Sequence, residues 1–220
     1  MLKKNRMRII LTCIVIILPM LIGIMTWDSL PESMATNFDW SGEANGWSSR
    51  YFAVFGLPCM ILAFHFLCVF STLLDPRKKG IDSKMLLLVF WICPAASWIC
   101  AAVIYANALG IALDTLAAVE IFCGVLFIAI GNYLPKCRQN YTVGVKLPWT
   151  LNDTENWNKT NRLAGWLFVL VGFLWIMAVF TGEILLPTAA TILAAMVPAG
   201  YSLALYLRKS GYLRKRGSDE

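Results

Sequence analysis

Two ionisable side chains sit inside long apolar runs, and they are the first candidates for chemistry. His65 lies in the run 51–74 and Glu120 in the run 116–134. A charged group at mid-span costs about 2.5–3.5 kcal/mol, so each is a candidate for proton or ion handling. Depth separates them. At 1.5 Å per residue, His65 lies ~20 Å and Glu120 ~6–9 Å below the same end of the bundle. A direct pair is therefore not expected, and helix-to-helix hydrogen bonding is the simpler use of each. The chain has seven cysteines. They show no CxxC or Cys/His spacing and read as small buried hydrophobes rather than disulfides or zinc ligands. No catalytic, cofactor or metal set is expected, and no enzyme.

The elements that must hold these residues are membrane spans. Of the 220 residues, 59% are hydrophobic, and mean hydropathy is +0.66. Soluble domains are nearer 45–50% apolar. Six runs are long enough to cross a bilayer core of ~30 Å: 9–27, 51–74, 85–106, 116–134, 163–181 and 184–207. The first resembles a signal peptide, but its apolar stretch is too long and no small-residue cleavage site follows. Pro19, Pro58, Pro94, Pro187 and Pro198 fall within the spans. Each frees a carbonyl that a neighbouring helix or hydroxyl must satisfy.

Charge sets the expected orientation. The net charge is +6, but the basic residues cluster at run ends rather than along one face, so nucleic acid is not the implied partner. Four cations precede the first span, four lie in 75–84, five in 135–162 and five in the tail. Only Arg50 falls on the other side of a six-span arrangement. The positive-inside rule then puts both termini in the cytoplasm. The expected fold is an all-α polytopic membrane bundle of six transmembrane helices. It divides into an N-terminal region, 1–110, with an extracellular loop at 28–50, and a C-terminal region, 111–220, with a cytoplasmic loop at 135–162.

Two loops carry unusual residues. The outer loop is acidic, aromatic and turn-rich, with Asn37, Asp39, Trp40, Gly42 and Trp47 as candidate recognition residues. Ser41-Gly42 and Asn45-Gly46 are both turn dipeptides. The inner loop holds Asn132, Pro135, Lys136, Asn140, Gly144, Pro148, Trp149, Thr150, Trp157, Thr160 and Arg162. Asn152 with Glu155 reads as a capping box opening a polar helix that runs on into the fifth span. Lys159 and Arg162 suit the lipid headgroups. Such Gly, Pro and Trp usage in fixed order suits a structural clasp between spans four and five, or an inward-facing signalling surface.

The residue order resembles the SdpI family of bacterial membrane proteins. The matching words are Gly131-Asn-Tyr-Leu-Pro-Lys136, Asn140-Tyr-Thr-Val-Gly-Val-Lys-Leu-Pro-Trp-Thr-Leu151 and Trp157-Asn-Lys-Thr-Asn-Arg-Leu-Ala-Gly165. The N-terminal half resembles the domain of unknown function that commonly precedes this region, through Leu30-Pro31, Asn37-Phe38, Ser41-Gly42 and Asn45-Gly46-Trp47. Asn37 and Asn161 stand where the family often has histidine, and asparagine does not titrate. The resemblance implies a bacterial cell-membrane immunity protein that protects against a secreted peptide toxin. It also implies possible signalling through a cytoplasmic winged-helix repressor. On that reading the toxin meets the outer loop and the repressor meets the inner one. The competing expectation is a small transporter using Glu120 and kinked helices, which predicts an inverted repeat. No similarity between the halves is visible.

Overall fold

The structure is a computed structural model that describes residues 2–210; Arg214, Lys215 and Arg216 of the basic tail lie outside the described residues. Its helices are α1 (Leu2–Met25), α2 (Leu57–Leu74), α3 (Ser83–Ala108), α4 (Thr115–Tyr133), α5 (Pro148–Asn152), α6 (Thr154–Thr181) and α7 (Leu185–Lys209). All but α5 are long and apolar enough to span a membrane, α2 being extended by a π turn at Phe52–Gly56. The all-α, six-span architecture is therefore the observed one. The polar stretch after Asp153 and the fifth span form one continuous helix, α6.

The 28–50 loop holds the only β-strands among the described residues. It is an antiparallel hairpin of β1 (Ser33–Phe38) and β2 (Ala44–Ser49), not a set of turns. Asn45-Gly46 lies inside β2, so it is no turn dipeptide. Gly46 instead pairs across from Asn37, where a Cβ would lie 3.0 Å from the Asn37 Cβ. The actual turn is built by Asp39. Its Oδ1 accepts from the Ser41 N–H at 2.9 Å, the Ser41 hydroxyl at 2.6 Å and the Glu43 N–H at 3.0 Å. Gly42 supplies the positive φ of 81° that the turn needs.

Contact density divides the chain into two compact units, each discontinuous in sequence. The first is Met1–Leu73 with Leu87–Cys123; the second is Leu74–Leu86 with Gly124–Glu220.

In the first unit, α3 repairs the proline break in α1. Pro19 has no N–H, so the Val15 carbonyl loses its helical partner. The Trp98 indole donates to Val15 O at 3.1 Å, and the Ser97 hydroxyl donates to Ile16 O at 2.8 Å. One turn on, the Tyr105 hydroxyl donates to Pro19 O at 3.1 Å. The hairpin is seated on this frame. Leu30 and Met34 are buried with Ala53, Val54, Ile104 and Tyr105. Arg50 ties its base, donating through Nη1 to Trp27 O and Leu30 O while its guanidinium lies 4.3 Å from the Trp27 ring centroid. That explains the single basic residue on the acidic side.

In the second unit, α4 and α6 meet through glycines. Gly131 faces Gly165 and Gly124 faces Gly172, each pair at backbone-contact distance. Both pairs are separated by seven residues along their helices, so the small residues form one stripe on each.

Candidate functional site: the loop between spans four and five

The segment 131–165 returns on itself, because its terminal glycines are in contact. A Cβ on Gly131 would lie 2.6 Å from Gly165 O. The loop between them is built from side-chain-to-backbone hydrogen bonds, as irregular backbone without a ladder requires. Asn140 is fully buried and organises the first turn. Its Oδ1 accepts from Thr142 N and Val143 N, and its Nδ2 donates to Arg138 O. Thr150, also fully buried, closes the second turn, accepting from Leu147 N at 2.8 Å.

Trp157 and Asn161 project from α6 into this loop. The Trp157 indole, with no exposure, donates to Cys137 O at 2.8 Å. Asn161 Oδ1 accepts from Val145 N at 2.9 Å, and Nδ2 donates to Trp157 O at 3.0 Å. Gly144 lies against both, at φ 120°, with room for no side chain: a Cβ would lie 2.7 Å from Asn161 Oδ1 and 2.8 Å from the Trp157 ring. Thr160 donates to Asn156 Oδ1 at 2.9 Å. Pro135 packs on Gly165, and Lys136 lies 4.6 Å from the Tyr133 ring centroid. Asn132 and Arg162 are exposed.

Trp149 leads outward to α7. Its indole donates to Ser202 Oγ at 2.8 Å, and its ring stacks on Tyr206 with centroids 5.5 Å apart. Ser202 Oγ donates to Asn156 Oδ1 at 2.7 Å, and Asn156 Nδ2 donates to Ser202 O at 3.0 Å. Pro148 opens α5 at its first position, where a missing N–H costs nothing.

Three contributors are not apparent from sequence. Asp75, 3% exposed, sits in the loop after α2, yet its Oδ2 accepts from Tyr141 N and Thr142 Oγ1 while Oδ1 accepts from Arg77 N. A lone acid before proline in a run of cations is the only signal it leaves. Asn156 and Ser202 lie 46 residues apart and leave none. The helix cap is also corrected: α6 is capped by Asp153, not Asn152. Asn152 still belongs to α5 and bonds back to Pro148 O, whereas Asp153 is extended and accepts from Glu155 N and Asn156 N. Glu155 instead forms a 2.7 Å ion pair with Lys159. A hydrogen bond from Lys209, then one from the Asn156 N–H, holds the Asp153 carboxyl below its usual range. Burial pushes the Cys137 thiol up.

The remaining candidates lie in the first unit. Asn37 and Asp39 are exposed on the hairpin, and Trp40 and Trp47 are 70% and 60% exposed. His65 and Glu120 are both buried, with no hydrogen bond between them. His65 Nε2 lies 2.9 Å from Thr12 Oγ1. The same hydroxyl reaches Arg8 O and Ile9 O, and His65 Nδ1 has no partner. Glu120 Oε1 also has none.

Comparison with known proteins follows these features. Residues 136–202 match the SdpI/YfhL protein family, from the cation beside Tyr133 to the Ser202 node on α7. Residues 14–62 match a domain of unknown function, DUF1648, which covers the second half of α1, the hairpin and the start of α2. The chain is 27% identical to a protein called Immunity protein SdpI of Bacillus subtilis (strain 168), over 217 residues, 95% of this chain and 99% of the relative. No solved structure matches. The chain is thus a multi-span membrane protein whose residues 136–202 are similar to the SdpI/YfhL family, behind a stretch, 14–62, that is similar to DUF1648.

Proposed function

We propose that this chain is a non-enzymatic immunity protein of a bacterial cell membrane, protecting its host from a secreted antimicrobial peptide. The observation that carries the reading is the end-to-end similarity to a protein named for immunity, 95% of one chain against 99% of the other. A shared local motif would not extend through both loops and all six spans.

The hairpin is the element that fits the peptide contact. It is acidic through Glu32, Asp39 and Glu43, and it displays Trp40 and Trp47. Such a surface complements a cationic, apolar peptide, and aromatic anchors dominate binding energy at interfaces. The segregation of Lys and Arg supports an outer hairpin, with both termini and the 135–162 loop in the cytoplasm. A repressor contact, if the chain signals, would lie on that loop. The dense internal bonding of the loop favours a structural clasp as its first role.

The test is survival. The full chain is expressed in a toxin-sensitive host and challenged with the cognate secreted peptide. Protection is expected, and it is expected to fall in Trp40→Ala/Trp47→Ala at equal membrane level. Unchanged sensitivity with correctly inserted wild-type chain overturns the proposal. Protection that survives the double substitution moves the contact off the hairpin.

A further inference from the structure

The second unit holds an open cleft of about 980 Å³ whose charged lining is entirely cationic. Arg77 and Lys79 come from the loop after α2, Lys136 and Arg138 from the turn after α4, and no carboxylate lines it. Four unpaired positive charges on one concavity repel one another unless an anion is present.

The nearby acids do not supply that anion. Asp75 is buried and occupied by Arg77 N, Tyr141 N and Thr142 Oγ1. Asp82 accepts from Lys84 N and Met85 N at the start of α3. Asp153 and Glu155 are paired with Lys209 and Lys159. Among the described residues, Lys79, Lys136 and Arg138 form no ion pair.

The frame under these cations is preorganised. Arg138 N–H donates to Gly80 O at 2.6 Å, and a Cβ on Gly80 would lie 2.7 Å from Gln139 O, so the two loops touch backbone to backbone. Arg77 is held by Leu151 O at 2.9 Å and lies 4.9 Å from the Tyr141 ring centroid. Gln139 Nε2 donates to Thr150 O at 2.9 Å. The cations are therefore mounted on fixed backbone before any ligand arrives, which lowers the ordering cost of binding.

We propose that this cleft binds a phosphate-bearing anion. Phosphate oxygens accept from several cationic donors at once, and a mixed Arg and Lys set offers both a planar fork and mobile point charges. The lining directly follows the second and fourth spans and opens the fifth, so it lies at headgroup depth. Basic pockets at that depth recognise anionic headgroups. An anionic phospholipid and a soluble phosphate ester share this chemistry, and the experiment separates them.

The full chain is purified in detergent, and retained lipid is measured by native mass spectrometry with added phosphatidylglycerol or phosphatidylcholine. Glycerol 3-phosphate binding is measured in parallel by calorimetry. Phosphatidylglycerol is expected to be retained over phosphatidylcholine. The preference is expected to drop roughly fivefold per cation removed in Lys79→Gln and Arg138→Gln. Lys79→Arg with Arg138→Lys should keep it. Lys136→Gln, whose cation only stacks on Tyr133, gives a second readout if the double variant unfolds. Saturable glycerol 3-phosphate binding without a lipid preference assigns the soluble source. No phosphate binding in either arm, or binding that all three glutamine variants leave intact, overturns the proposal.

Discussion

Gly131 and Gly165 face each other so closely that a Cβ on the first would lie 2.6 Å from the carbonyl oxygen of the second. The contact joins the two ends of the loop segment and sets α4 against α6. Without a hydrophobic driving force between helices in lipid, such approach supplies dispersion and weak Cα–H···O contacts. Gly131→Val should therefore cost about 1–3 kcal/mol through overpacking. Gly200→Ala is the contrast, because nothing lies within 4 Å of its Cβ position. It should be neutral or gain about 0.4–1 kcal/mol. Denaturation in mixed micelles checks both; equal effects would remove the glycine stripe as the cause.

Asp75 is the hinge of the clasp although it lies outside it. Asp75→Ala strands Tyr141 N–H and Arg77 N–H and removes one hydrogen bond from Thr142, and should cost about 1–3 kcal/mol for each group left buried and unpaired. Asp75→Asn keeps acceptor oxygen on one side and should cost less. Hydrogen exchange at 138–145 reads the effect locally, and unchanged protection there would contradict the assignment.

Gly144→Ala meets two obstacles at once. Its φ of 120° disfavours an L side chain, and the new methyl would meet Asn161 Oδ1 and the Trp157 ring. A loss above about 1 kcal/mol is expected from backbone strain alone. Pairing it with Asn161→Ala, which removes one obstacle, should make the double substitution less costly than the sum. Simple additivity would argue against contact between them.

Two carboxylates give a pH dependence whose sign follows from their partners. The Asp153 carboxyl is held below its usual range chiefly by Lys209, and Asp39 chiefly by the Ser41 hydroxyl. A depressed folded pKa adds stability above the unfolded value, about 3.9 for aspartate, and loses it as pH falls through the folded value. Wild type and Asp153→Asn should therefore melt apart at neutral pH and converge in acid. Asp39→Asn should do the same for hairpin order, followed by Trp40 and Trp47 fluorescence. A difference that grows in acid would reverse the assignment.

Much of the molecule was legible residue by residue. Apolar run length decides span number because a helix must cross a hydrocarbon core of about 30 Å. The blocks around Asn140, Trp149 and Trp157 carried the family resemblance because loop geometry restricts residue type there. The hairpin was not legible: β1 and β2 carry weak alternation, and Asn45-Gly46 suggests a turn where cross-strand pairing with Asn37 places a strand. The cap slipped by one residue because Asn152 and Asp153 are both good caps, and only the end of α5 chooses between them.

Sequence alone therefore determined the membrane class and the six spans, since composition and period act locally along the chain. Tertiary structure decided which polar groups meet. Asp75 reaches Tyr141 across 66 residues, Asn156 reaches Ser202 across 46, and Trp98 repairs the Pro19 break across 83. These partners are chosen by where unsatisfied backbone and buried donors come together, a condition that exists only once the helices have packed.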